Sequence, residues 1–103
     1  DALVVLEKAV GAEPRNADLL NLTGYAYREL DQLENALVFY NRALAEDPEH
    51  KGALNYMGML YVSTGRMDDA KVLLARLDDA CFFSCKEHDE LKKAIETGVV
   101  PDD

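Results

Sequence analysis

Cys81, Cys85 and His88 are the residues whose types and spacing could do chemistry. Thiolate sulfur and imidazole suit zinc or copper(I), and two thiols can also close on each other. Three readings stand side by side. One is a disulfide, which fits an exported chain in an oxidising compartment. A regular helix holds side chains four apart awkwardly for such a bond, but a turn between them relaxes that constraint. The second is a pair of buried free thiols. The third is a soft metal site of Cys81, Cys85 and His88, although zinc sites commonly draw on two such pairs and only one is present.

The other polar residues do not assemble a catalyst on paper. Ser63 lies near a helix end, and Ser84 with Glu87 reads as a capping box. His50 follows Pro48 in a turn, where an exposed polar residue is ordinary. No Gly-rich phosphate loop occurs, and Asp68-Asp69, Asp78-Asp79 and Asp102-Asp103 read as solvated faces and a tail. With no set of nucleophile, base and oxyanion donor, the chain is expected to be no enzyme and to need no cofactor.

Charge narrows the partners. Twenty acidic against 11 basic residues give a formal charge of -9. That balance excludes the basic footprint needed for nucleic acid and disfavours anionic membrane surfaces. No apolar run approaches the roughly 20 residues of a membrane span. The start at Asp1, without Met, fits a processed or shortened chain, from which a targeting segment could have been removed.

The elements that must position these residues follow from a repeat. Ala2, Ala36 and Ala70 stand at equal steps of 34 residues. The same step joins Pro14 to Pro48, Leu20 to Leu54, Gly24 to Gly58 and Tyr27 to Tyr61. A mid-helix glycine costs about 1 kcal/mol against alanine. Its recurrence therefore marks a close approach of a second helix, with Ala36 and Ala70 as the facing small residues. Tyr27 and Tyr61 fill the space beside it. Pro14 and Pro48 end one hairpin and open the next.

This punctuation predicts helices over Ala2–Ala12, Ala17–Leu30, Leu33–Glu46, Lys51–Thr64, Met67–Ala80 and Cys85–Thr97. Asn16 is the expected cap of the second, Asp31 with Glu34 that of the third. Gly65 and Gly98 are the expected stops of the fourth and last. Loops this short make successive helices antiparallel neighbours.

Leu20-x2-Thr23-Gly24-x2-Tyr27, Ala36-x3-Tyr40-x2-Ala43 and Pro48 resemble one complete unit of the tetratricopeptide repeat family. Leu54, Met57-Gly58, Tyr61, Ala70 and Leu74 resemble a second, which departs where Leu77 replaces a small residue and Phe82 a proline. Ala2, Leu6, Ala9 and Pro14 match a half repeat. The resemblance covers about residues 1–80. It implies an all-α fold: a right-handed stack of antiparallel helix hairpins, about two and a half repeats, with a C-terminal capping helix. The implied divisions of a single domain at 1–98 are a half repeat 1–16, a full repeat 17–50, a second repeat 51–84 and a capping helix 85–97, followed by an acidic tail 99–103. Leu91, Ala94 and Ile95 would face inward on the cap, with Lys86, Glu87, Glu90 and Lys93 outward. The segment Leu74–Glu96 with its Cys-x3-Cys junction is similar to the tail of small bacterial exported members, which points to the periplasm or beyond, with the cytoplasm as the alternative.

The resemblance also implies a function. First helices of such hairpins line a concave groove, here Asn21, Tyr25 and Arg28, then Asn55, Tyr56 and Met59. Asparagine both donates and accepts, tyrosine gives contact area, and methionine adapts to shape. The expected role is an adaptor holding a peptide or protein segment there. Packing between hairpins is the competing role for Tyr25, Tyr56 and Met59. The family's lysine-rich clamp for a terminal carboxylate is not matched, since Arg28 is the only cation among these six. Leu3, Val4, Leu6 and Val10 cannot all face the next hairpin, so self-assembly through this bare first helix is the alternative function. A metal- or redox-responsive adaptor working through Cys81, Cys85 and His88 is another.

Overall fold

Proline, glycine and short polar turns cut the chain into six helices. The computed structural model describes residues 2–83 and 85–101. The helices are α1 (Ala2–Ala12), α2 (Ala17–Glu29), α3 (Leu33–Glu46), α4 (Lys51–Ser63), α5 (Met67–Ala80) and α6 (Lys86–Thr97). No strand occurs among the described residues. The fold is all-α, and it forms two compact units divided after Ala53.

The first unit is built around α2 and α3. A Cβ placed on Gly24 would lie 2.8 Å from two ring carbons of Tyr40 and 3.2 Å from the Ala36 carbonyl oxygen. The glycine therefore allows the close approach that its recurrence predicts. Leu20, Ala36, Tyr40 and Ala43 are fully buried around it. α1 lies along α2, where Tyr27 donates its hydroxyl proton to Glu7 Oε1 at 2.7 Å. The other side of that tyrosine stacks on Phe39 with centroids 5.4 Å apart, and the Arg42 guanidinium sits 5.0 Å from the Phe39 centroid. Hydrogen bonding to Glu7 first, then burial and the carboxylate charge, raise the Tyr27 pKa above its ordinary value.

Both helix stops at the tight turns use one device. α2 ends where Asp31 N–H donates to Arg28 O and Gln32 N–H to Tyr27 O. α4 ends where Gly65 N–H donates to Val62 O and Arg66 N–H to Tyr61 O. These are paired Schellman bonds, which need a left-handed residue at the pivot. Gly65 supplies it at φ 77°, and Asp31 supplies it at φ 59°. The capping box expected of Asp31 and Glu34 is thus replaced. Asp31 closes α2, and Gln32 stands at the cap of α3 without a side-chain cap bond. Leu30 and Thr64 fall one residue beyond their helices as caps. Asn16 does cap α2, its side-chain oxygen accepting from Leu19 N at 3.2 Å.

In the second unit α6 packs on α5 and on the later turns of α4. The atoms nearest the Gly58 notch belong to Leu91 of α6, a contact that the period of 34 does not predict. A Cβ there would lie 2.6 Å from one Leu91 methyl carbon and 2.7 Å from the other. Leu91 and Ala94 are buried, Ile95 is half-buried, and Lys86, Glu90 and Lys93 are exposed, as the amphipathic pattern predicts, while Glu87 is half-buried. Cys85 is the cap residue rather than the first residue of α6. Ser84, its expected cap, lies outside the described residues, as do Asp1, Asp102 and Asp103. Gly98 stops α6 at φ 71° with its N–H on Ala94 O. Arg66 lies over the Tyr61 ring at 4.5 Å and pairs with Asp69 at 2.8 Å. Among the described residues no helix is long and apolar enough to cross a membrane.

Candidate functional site

The i, i+4, i+7 spacing of Asn21, Tyr25 and Arg28 sets them along one side of α2. Tyr25 and Arg28 are half-buried. Arg28 lies in the last turn, where a cation complements the helix dipole. Asn21 is only 7% exposed, and its Oδ1 has no hydrogen-bond partner among the described residues. Its amide nitrogen sits against Gly52, where a Cβ would come to 3.0 Å. An orphan buried acceptor costs about 1–3 kcal/mol, so this oxygen is the most conspicuous polar atom of α2.

His50 was expected to be an exposed turn residue, and the structure shows otherwise. Its side chain is 13% exposed and its Nε2 lies 2.6 Å from Asp18 Oδ1. Nδ1 accepts from Ala53 N at 3.0 Å, which puts the ring proton on Nε2, donated to Asp18. The imidazole thus ties the first turn of α2 to the start of α4.

The three groove residues expected on α4 divide differently. Asn55 is buried and donates its amide to Glu87 O at 2.9 Å. It holds the start of α6, although the period pairs it with Asn21. Met59 is also buried, and Tyr56 is half-buried. Asn55 and Met59 are therefore enclosed by packing, as Asn21 is, and Tyr56 is the more accessible of the three.

At the α5–α6 junction Cys81 and Cys85 are joined in a disulfide with Cα atoms 5.8 Å apart. His88 has carboxylate neighbours, its Nε2 3.4 Å from Asp78 Oδ1 and its Nδ1 3.3 Å from Asp89 Oδ1. No three His, Cys, Asp or Glu side chains gather as a metal site among the described residues. The expected consequence is an intact mass about 2 Da lower without reductant than with it; equal masses would leave the sulfurs as thiols.

Two features escaped the sequence. Phe82 and Phe83, within the disulfide ring, are 95% and 81% exposed, their rings edge-to-face at 5.4 Å. Between α1 and α2 opens a cavity of about 410 Å³ lined by Leu3, Leu6, Leu22, Tyr25, Leu30 and Glu29 among others. Uncovered apolar residues on α1 were the available signal for the cavity. Val4 is exposed, while Val10 is buried.

Helical hairpins with glycine notches and paired Schellman turns define the chain as a helical-repeat protein. The tetratricopeptide repeat profile matches residues 27–80, more than half of the chain, and the protein belongs to that family. No curated protein matches the sequence closely. Tetratricopeptide repeats are in general protein–protein interaction modules rather than catalysts.

Proposed function

We propose that this protein is an adaptor that binds a peptide or protein segment along α2, with Asn21, Tyr25 and Arg28 in contact. The observation that carries the reading is the unpartnered Asn21 Oδ1. Asn21 Oδ1 is enclosed, so a bound segment supplies its missing donor, a backbone N–H, as the side chain turns outward. Tyr25 beside it adds contact area at small entropic cost. Tyr56 on α4 is the half-buried residue of the second unit that remains open to a similar role. The Cys81–Cys85 bond supports an oxidising compartment, the periplasm or beyond, as the place of action. Binding, not catalysis, is the activity.

The test uses peptides selected from a displayed random library on the wild-type protein. Asn21→Ala removes an unpaired buried oxygen but also the amide packed against Gly52, and with these effects opposed the melting temperature should change little. Peptide affinity should fall by about tenfold, the worth of a hydrogen bond of about 1.4 kcal/mol. Equal affinity for both proteins would refute the role of Asn21.

A further inference from the structure

We propose that copies of this chain associate head to tail, the Phe82–Phe83 ring of one copy entering the α1–α2 cavity of the next. The cavity shares Tyr25 with the peptide site on α2, but the inference rests on the exposed phenylalanines and not on Asn21. Exposed large apolar side chains scattered singly are ordinary, but a paired and constrained set is not. Phe82 and Phe83 are the two most exposed large apolar residues described. Cys81 and Cys85 hold the ends of their loop 5.8 Å apart, which restricts the freedom the two side chains would lose on docking.

The same chain offers a receptor of matching chemistry. The cavity walls are apolar, from Leu3, Leu6, Leu22 and Leu30, with the Tyr25 ring among them. At about 410 Å³ the cavity is of the size that small apolar ligands occupy. Its charged wall residue is Glu29, and the residue that follows the ring is Lys86. Docking therefore sets a cation near the carboxylate as the phenyl rings go in.

The area sets the strength. Two phenylalanines bury roughly 150–250 Å² each, and an equal area of wall brings the total to about 600–1,000 Å². That is below the roughly 1,200 Å² of a stable interface, so the association is weak and follows concentration. Ring and cavity are different surfaces, so the contact is heterologous and leaves a free ring and a free cavity at the ends of each assembly.

Sedimentation velocity from about 10 to about 500 µM tests this, a range suited to weak interfaces. The wild type should rise from the 11.5 kDa monomer past the dimer. Phe82→Ala/Phe83→Ala, with the disulfide kept, should stay monomeric, and so should Leu22→Glu. Leu22 is half exposed, and circular dichroism confirms that the variant folds; if it does not, Leu30→Glu takes its place. An equimolar mixture of the ring variant and the cavity variant has one good ring and one good cavity. It should form a pair and nothing larger. A wild type monomeric throughout, a ring variant that assembles like the wild type, or a mixture that stays monomeric would each overturn the proposal.

Discussion

Gly24→Val is expected to lower stability by about 3 kcal/mol, near the upper end of overpacking effects. The first added carbon would meet the Tyr40 ring at 2.8 Å and the Ala36 carbonyl oxygen at 3.2 Å. Tyr40 is fully buried, so its ring cannot swing into solvent. The carbonyl belongs to the α3 backbone and can withdraw only if the helix moves. Against this, valine recovers only a few tenths of a kcal/mol in helix propensity. Gly11 is the control, because a Cβ there meets nothing within 4 Å. Gly11→Ala should leave the protein as stable or raise it by up to about 1 kcal/mol. Urea midpoints at constant slope measure both. A wild-type midpoint for Gly24→Val would mean that α2 and α3 can separate freely.

Leu91→Ala should cost about 2–5 kcal/mol, because Leu91 is wholly buried and fills the Gly58 notch. The two positions are coupled through one volume. Gly58→Ala alone should destabilise, since its Cβ would come within 2.6 Å of Leu91. In the Leu91→Ala background the same change should be harmless or favourable, filling part of the vacancy and adding helix propensity. A double-mutant cycle should give a coupling of about 0.5–3 kcal/mol. Strict additivity would show that α6 does not seat in the notch.

The period of 34 made the hairpins legible because glycine and proline act locally. Gly24 can be read as a close approach, and Asn16 as a cap, without knowing what stands opposite. What lay opposite was less legible. Gly24 does face Ala36, but the atoms nearest the Gly58 notch belong to Leu91 of α6, and since the last helix has lost the repeat pattern the period does not predict that contact. Asp31 misled for a related reason. Aspartate is a common helix opener, yet it also tolerates the left-handed region, and here the closing bonds of α2 used it that way. For the site, type and spacing suggested that Asn21 and Asn55 were equivalent. Both are buried, and their partners separate them, one carbonyl left unpaired and the other residue's amide spent on Glu87. Phe82 and Phe83 had no place in the repeat pattern beyond Phe82 standing where a proline belongs. The disulfide on either side of them keeps the loop short, and they stand in solvent.

The hydrogen bond from Tyr27 to Glu7 has a spectroscopic consequence. The chain contains five tyrosines and no tryptophan, so its ultraviolet emission comes from phenols. A phenol that donates to a carboxylate emits weakly, because its excited state passes the proton across. Tyr27 is therefore dim while α1 lies on α2 and brightens when α1 departs. The molecule carries its own unlabelled reporter of whether its first helix is attached.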